Sequence, residues 1–248
     1  MTKSMKLRSL TAAALAATAL FAAQPAAADT IEINNFWAGY GVDSISFSGI
    51  NWKTGNTATV NETAYAGGFK TYDLTTDPTR KNAFQSFCVD IFDSFSFGAQ
   101  SEDTLQPATI ISSRAAVDLG RLYTNHHAAI DSTHSSGNSE AAFQLAVWEI
   151  VNEQAEGGYS LSTGAFKATG NDFSLAQQWL KELGVASASA YSANIWNVQS
   201  MISKNKGTSQ DLVVFSRVQT PVPEPETYAM MLVGLGLLGF SARRKNHN

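Results

Sequence analysis

From Ile31 to about Phe97, aromatic and β-branched residues come in short stretches separated by Gly39, Gly41, Gly49, Asn51, Gly55-Asn56 and Gly67-Gly68. That pattern predicts an antiparallel, strand-rich region. Within it, Thr57-Ala58-Thr59-Val60 and Phe69-Lys70-Thr71-Tyr72 alternate as half-buried strands do. Asp77-Pro78 marks a turn before the apolar segment from Phe84 to Phe97. The period then changes. Ala115, Ala116, Leu119, Leu122 and Tyr123 recur at helical spacing, with a helix end expected near Asn125-His126-His127. The polar run from Asp131 to Asn138 predicts a loop. A second helix is expected from Glu140 to about Glu156, capped by Asn138 or Ser139 and stopped by Gly157-Gly158. A third runs from a capping box at Ser174 and Gln177 through Trp179, Leu180 and Leu183 to Gly184. The Ser/Ala stretch 185–193 is ambiguous, and Asp211 to Val218 closes the pattern as a strand. The expected fold class is α+β: an antiparallel β-rich lobe, made by the strand region and the closing strand, with a helical lobe from about 112 to 200 packed on it.

Both ends fall outside this pattern. Residues 1–28 place Lys3, Lys6 and Arg8 before a small apolar run, then Ala26-Ala27-Ala28, which is the layout of a secretory signal peptide with cleavage before Asp29. The chain then divides into a domain at 29–218, a linker at 219–227 and a short hydrophobic helix with a basic tail at 228–248. The apolar run from Tyr228 to Ala242 is shorter than the roughly 20 residues of a spanning helix, and Arg243-Arg244-Lys245 suits a cytoplasmic stop. Pro223-Glu224-Pro225, the hydrophobic run and the basic cluster, in that order, resemble the PEP-CTERM sorting signal. The resemblance implies a Gram-negative bacterium, processing by signal peptidase and an exosortase, transient anchoring in the inner membrane, and delivery to the outer surface or the extracellular matrix.

Charge and composition narrow the chemistry. With 44% hydrophobic and 15% charged residues the chain can bury a substantial core. Residues 29–221 hold 11 Lys and Arg against 19 Asp and Glu, a balance of −8. Such a surface argues against a nucleic-acid partner. A single cysteine excludes an internal disulfide and a zinc site built on several thiolates. Adjacent His126 and His127 point in different directions on any regular element, so no metal site is expected, and no cofactor.

Two residues stand out. Gln144 shares a helix face with Val147, Trp148 and Val151, so its amide sits against apolar neighbours, and a buried amide left unpaired is costly. The lone Cys88 lies in Ser86-Phe87-Cys88-Val89-Asp90-Ile91-Phe92, and in an oxidising compartment a free thiol is at risk unless it is held in a bond. Phe87-Cys88-Val89-Asp90, followed 56 positions on by Phe143-Gln144-Leu145-Ala146-Val147-Trp148, resembles the thioester domain of bacterial surface adhesins, as does Val117 to Tyr123 between them.

The resemblance implies an internal Cys88–Gln144 thioester at the junction of the two lobes. The Cys88 thiolate attacks the Gln144 side-chain carbonyl and ammonia leaves. Phe87, Phe92, Phe143 and Trp148 exclude water, and Asp90, two residues along from Cys88, shares its strand face. An amine on a surface protein, or a hydroxyl on a polysaccharide of a neighbouring cell or the matrix, then attacks the acyl carbon and stays attached. This is capture by a single-turnover adhesin, not enzymatic turnover. For the protons, Asp90, Glu149, His126 and His127 are candidates, although each also reads as an ordinary solvated or helix-end residue. Two other readings stand beside this one. A cysteine hydrolase would use Cys88 with His126, His127 or His134, against which the mid-strand setting of Cys88 argues. A non-covalent matrix or carbohydrate-binding protein would stack sugars on Trp37, Tyr40, Trp52 and Tyr65. The plainest reading makes Cys88, Gln144 and Trp148 ordinary core residues.

Overall fold

The computed structural model describes residues 28–131, 136–153, 158–185, 196–204 and 209–217. The expected signal peptide, the PEP linker with Pro223, Glu224 and Pro225, the sorting helix, the middle of the 131–138 loop and most of the Ser/Ala stretch lie outside these residues.

Among the described residues nine strands and three α-helices follow one another as β1 (Asp29–Phe36), β2 (Gly41–Ile50), β3 (Thr57–Ala66), β4 (Phe69–Asp73), β5 (Phe84–Cys88), β6 (Gln100–Pro107), α1 (Ser113–Ile130), α2 (Gly137–Asn152), β7 (Phe166–Thr169), α3 (Phe173–Val185), β8 (Trp196–Ser203) and β9 (Leu212–Arg217). Six of the strands close an antiparallel barrel in the order β1-β4-β5-β9-β8-β6, with β6 pairing back onto β1. The other three form a sheet in the order β3-β2-β7. The β2–β3 hairpin pairs without a break from Gly41↔Ala66 to Ile50↔Thr57. Its turn is shaped by the Asn51 side chain, which accepts the Lys53 N–H at 2.8 Å, and by Gly55 at φ 70°.

Helix α2 runs through the middle of the molecule against α1, α3, β2, β3, β5 and β7. Every residue from Ser139 to Asn152 is buried. A helix packed on all sides has no polar face, so its polar residues must find partners inside. Its N-terminus is set by Ser136, not by Asn138 or Ser139 as expected: Ser136 and Ser139 exchange side-chain and backbone hydrogen bonds in a capping box.

The expected α+β fold of two balanced lobes is overturned. The protein is mostly β: β7 and most of β8 lie within the stretch expected to form the helical lobe, and β6 lies between the two expected lobes, where no element is expected. The reason is visible in β6, whose sequence QSEDTLQP buries Ser101 and Asp103 where a strand normally buries apolar side chains. Helix α1 also continues past Asn125-His126-His127 to Ile130, because His126 stacks on Trp179 at 4.4 Å and Ile130 is fully buried. Ser174 and Gln177 form no capping box. Helix α3 already begins at Phe173, and the Gln177 amide instead accepts the Leu161 N–H at 2.8 Å and donates to the Tyr159 carbonyl at 3.2 Å.

Candidate functional site

Cys88 is the last residue of β5, a barrel strand flanked by β4 and β9. Along the β9 side the ladder continues, with the Val89 N–H donating to the Asp211 carbonyl at 3.0 Å. Along the other side β4 begins only at Phe69, which pairs with Ser86, so the backbone edge of Cys88 is left without a neighbouring strand. The Gln144 side chain fills that edge. Its Oε1 accepts the Cys88 N–H at 2.9 Å, and its Nε2 donates to the Cys88 carbonyl at 2.7 Å. The amide thus imitates a residue of a paired strand, which answers how a polar group on an all-buried helix is satisfied. Cys88 and Gln144 are each 1% exposed.

The Cys88 thiol donates to the Asp90 carbonyl at 3.0 Å. Burial, and after it the negative charge of Asp90, push the thiol well above its ordinary range, while the Trp148 indole N–H beside the sulfur offsets part of the rise. That N–H has no hydrogen-bond partner of ordinary geometry among the described residues. Phe87 and Phe143, both fully buried, meet with ring centroids 4.5 Å apart. Phe92 packs edge-on against Phe47 at 5.3 Å.

The turn after Cys88 is fixed by charge. Asp90 Oδ1 accepts the Phe92 N–H at 2.8 Å, and Oδ2 pairs with the Lys53 ammonium. The same ammonium reaches Asp93 and Asp211, each at 2.9 Å. Burial pushes the Asp90 carboxyl up to about 6 against the pull of Lys53. Burial also works against the Lys53 ammonium, but its hydrogen bonds to Asp90, Asp211 and Asp93 prevail and hold it above its usual range. This cluster was not anticipated from sequence. Its members come from the hairpin turn, the turn after β5 and the residue before β9, so no local pattern announces it.

Of the proton-handling candidates only Asp90 adjoins the pair. Glu149 accepts the Ser160 N–H at 2.7 Å on another side of α2, and burial raises its carboxyl to about 8. His126 pairs with Glu182 at 3.2 Å, and His127 stacks on Tyr123 at 5.7 Å. His134 lies outside the described residues. Of the aromatics considered for sugar stacking, Tyr40 and Tyr65 are exposed, whereas Trp37 and Trp52 are half-buried with their indole N–H groups turned inward. Among the described residues no group of three or more His, Cys, Asp and Glu could hold a metal ion, and no helix is long and apolar enough to cross a membrane.

Comparison with known proteins adds two similarities. Of the solved structures, the N-terminal domain of the Streptococcus pyogenes pilus tip adhesin Cpa is similar to this chain at 11% sequence identity, covering 76% of this chain and 99% of that one with a TM-score of 0.41. No curated protein matches. The family model for the PEP-CTERM protein-sorting motif matches residues 221–245. The chain therefore carries a PEP-CTERM sorting motif, which implies export, a transient membrane anchor and processing by an exosortase.

Proposed function

We propose that this exported surface protein captures a partner covalently through an internal thioester between Cys88 and Gln144. The observation that carries the reading is the two-point pairing of the Gln144 amide on the backbone of Cys88. The Cys88 N–H polarises the Gln144 carbonyl in the ground state and is in place to hold the oxyanion that forms when sulfur adds to Cδ. The thiol must first lose its proton. The Asp90 carboxyl, two residues along, takes it and returns it to the departing ammonia, working against its own negative charge, which holds the thiol up. The Trp148 N–H supports the developing thiolate. Collapse of the adduct expels ammonia and leaves an acyl–sulfur bond, kept from hydrolysis by Phe87 and Phe143. An amine or hydroxyl of a partner then bonds to the acyl carbon, the carbon–sulfur bond breaks, and the proton lost by the nucleophile goes to sulfur. Among the described residues His126 pairs with Glu182 and His127 stacks on Tyr123, away from Cys88, which speaks against a cysteine hydrolase.

The test is the intact mass of the exported chain, purified without amines, beside its Cys88→Ala variant. The expected result is a deficit of one ammonia in the wild type alone, replaced by the mass of methylamine on Gln144 after incubation. Full mass with freely alkylated Cys88 and an unmodified Gln144 amide would overturn the reading.

A further inference from the structure

A cavity of about 850 Å³ opens beside the site, within the size range of ligand pockets. Trp148 lines it, whereas Cys88 and Gln144 do not, so the indole that acts on the Cys88 sulfur is also part of the cavity wall. The mouth is aromatic. Tyr40, Tyr65 and Phe97 are 50%, 60% and 44% exposed, and all three line the cavity. Their rings are fixed by neighbours: Tyr65 meets Tyr40 edge-on at 5.3 Å, and Phe36 holds Tyr40 at 4.6 Å and Phe97 at 5.2 Å. Exposed aromatic rings gathered at one opening mark a binding surface more often than a plain surface. Among the described residues the charge of the lining has one sign: Glu62 and Asp93 contribute carboxylates, and no Lys or Arg is among them. Lys53 answers Asp93 at 2.9 Å from outside the lining, while Glu62, exposed on β3, makes no ion pair among the described residues.

Aromatic faces suit the C–H faces of pyranose rings, and an unmatched carboxylate suits an ammonium. The same carboxylates repel uronate or sulfated chains. One ligand class satisfies both features and also carries a nucleophile. From this lining we infer that the cavity seats an oligosaccharide bearing free amines, a hexosamine chain, and delivers one of its amines past Trp148 to the acyl carbon of Gln144. The inference rests on the thioester reading above and names its partner. An amine on a sugar ring is weakened by the neighbouring C–O bonds to a basicity near that of an α-amino group, about 7.7–8.0, against about 10.4 for lysine, so far more of it is free base at neutral pH. In the step itself the sugar nitrogen bonds to Gln144 Cδ, the carbon–sulfur bond breaks, and the proton released by nitrogen goes to the Cys88 sulfur.

Two measurements on the exported full chain separate the seat from the bond. Titration of a glucosamine tetramer onto the Cys88→Ala variant reads the seat alone. Binding is expected, weakened about tenfold by an added Tyr65→Ala or Glu62→Gln. Mass spectrometry of the wild type reads the bond. Methylamine reports the thioester, and the tetramer should couple to Gln144 at a rate that, relative to methylamine, falls about tenfold in Tyr65→Ala, while the fully N-acetylated tetramer forms no adduct. Methylamine coupling without tetramer binding, or tetramer coupling indifferent to both Tyr65 and Glu62, overturns the seat and leaves the thioester standing. Tetramer binding to Cys88→Ala with no methylamine coupling in the wild type overturns the capture step. Faster coupling of a lysine peptide than of the tetramer would assign the cavity to a protein partner and overturn the inference.

Discussion

Two polar junctions share the turn that follows β5, and they are built in opposite ways. The Cys88–Gln144 junction is neutral, with the amide matched by the N–H and C=O of one strand residue. The Lys53 junction gathers one ammonium and three carboxylates, two of them, on Asp90 and Asp211, fully buried. Buried charges are costly to desolvate and hold only while their partners remain, so the charged junction acts as a staple joining the hairpin turn, the 90–93 turn and the start of β9. The neutral junction can exchange one bond for another without stranding a charge. One fixes the turn that presents the Asp90 carbonyl to the Cys88 thiol, and the other is the pair proposed to react.

Removing the cation breaks the comparison most severely. Lys53→Met leaves Asp90 and Asp211 buried without a counter-charge and is expected to cost about 3–5 kcal/mol. Urea denaturation at pH 8 measures it, and the deficit should shrink at pH 5 as Asp90 protonates. A loss under about 1 kcal/mol at pH 8 would mean that the staple contributes little.

Closing the neutral junction covalently should stabilise the fold almost as much as the staple does. A thioester would join residues 56 positions apart, and the chain-entropy argument used for disulfides gives about 4 kcal/mol for a loop of that length. The comparison is between the closed chain and the same chain opened by methylamine, by thermal unfolding. Equal stability of the two forms would show that the cross-link constrains the unfolded chain far less than its length implies.

Hydrogen-ion titration sharpens the contrast next. Asp43 faces Asp172, and burial followed by the charge of Asp172 raises it to about 6. Burial alone is the leading cause that brings Asp103 to about 6 and Glu149 to about 8. Each of these carboxyls has a folded-state pKa above its unfolded value, so the native chain binds more protons than the unfolded chain between roughly pH 4 and 8. Their contribution is complete at the acidic end and is lost as pH rises through 6 and then 8. Glu32, held below its usual range chiefly by its hydrogen bond to Arg80, works in the opposite direction only at lower pH. The denaturation midpoint should therefore be higher at pH 5 than at pH 8. Asp43→Asn should flatten that slope, by on the order of 2 kcal/mol. A midpoint that rises from pH 5 to 8 in the wild type would contradict these burials.

What could be read from the sequence follows the range of the interactions involved. β3 and β4 were legible because their side chains alternate, β9 because Val and Phe crowd it, and the Cys88 and Gln144 motifs because each lies in one short segment. β6 was not, because its inward positions carry Ser101 and Asp103 and give no apolar alternation. Trp148 was legible as an aromatic of the site, but not as a wall of the adjoining cavity, which depends on β2 and β3 folding beside α2. Nor could the Lys53 staple be foreseen, since Lys53 and Asp90 are 37 positions apart and Asp211 lies further still.

The smallest expected effect on stability falls on the atom proposed to carry the chemistry. Cys88→Ala removes one buried sulfur and nothing that holds Gln144, because both hydrogen bonds of the amide end on the backbone of residue 88. Against the amine-opened wild type, which also lacks the cross-link, the variant should lose only about 1 kcal/mol, the cost of a cavity near one methylene in size. Its backbone amide at residue 88 should exchange with solvent as slowly as in the opened wild type, since the Gln144 Oε1 acceptor is still in place. Capture of methylamine, by contrast, should vanish altogether. If Cys88→Ala instead unfolds the barrel or frees that amide to exchange, then the sulfur holds the junction together and the division between a staple and a reactive pair fails.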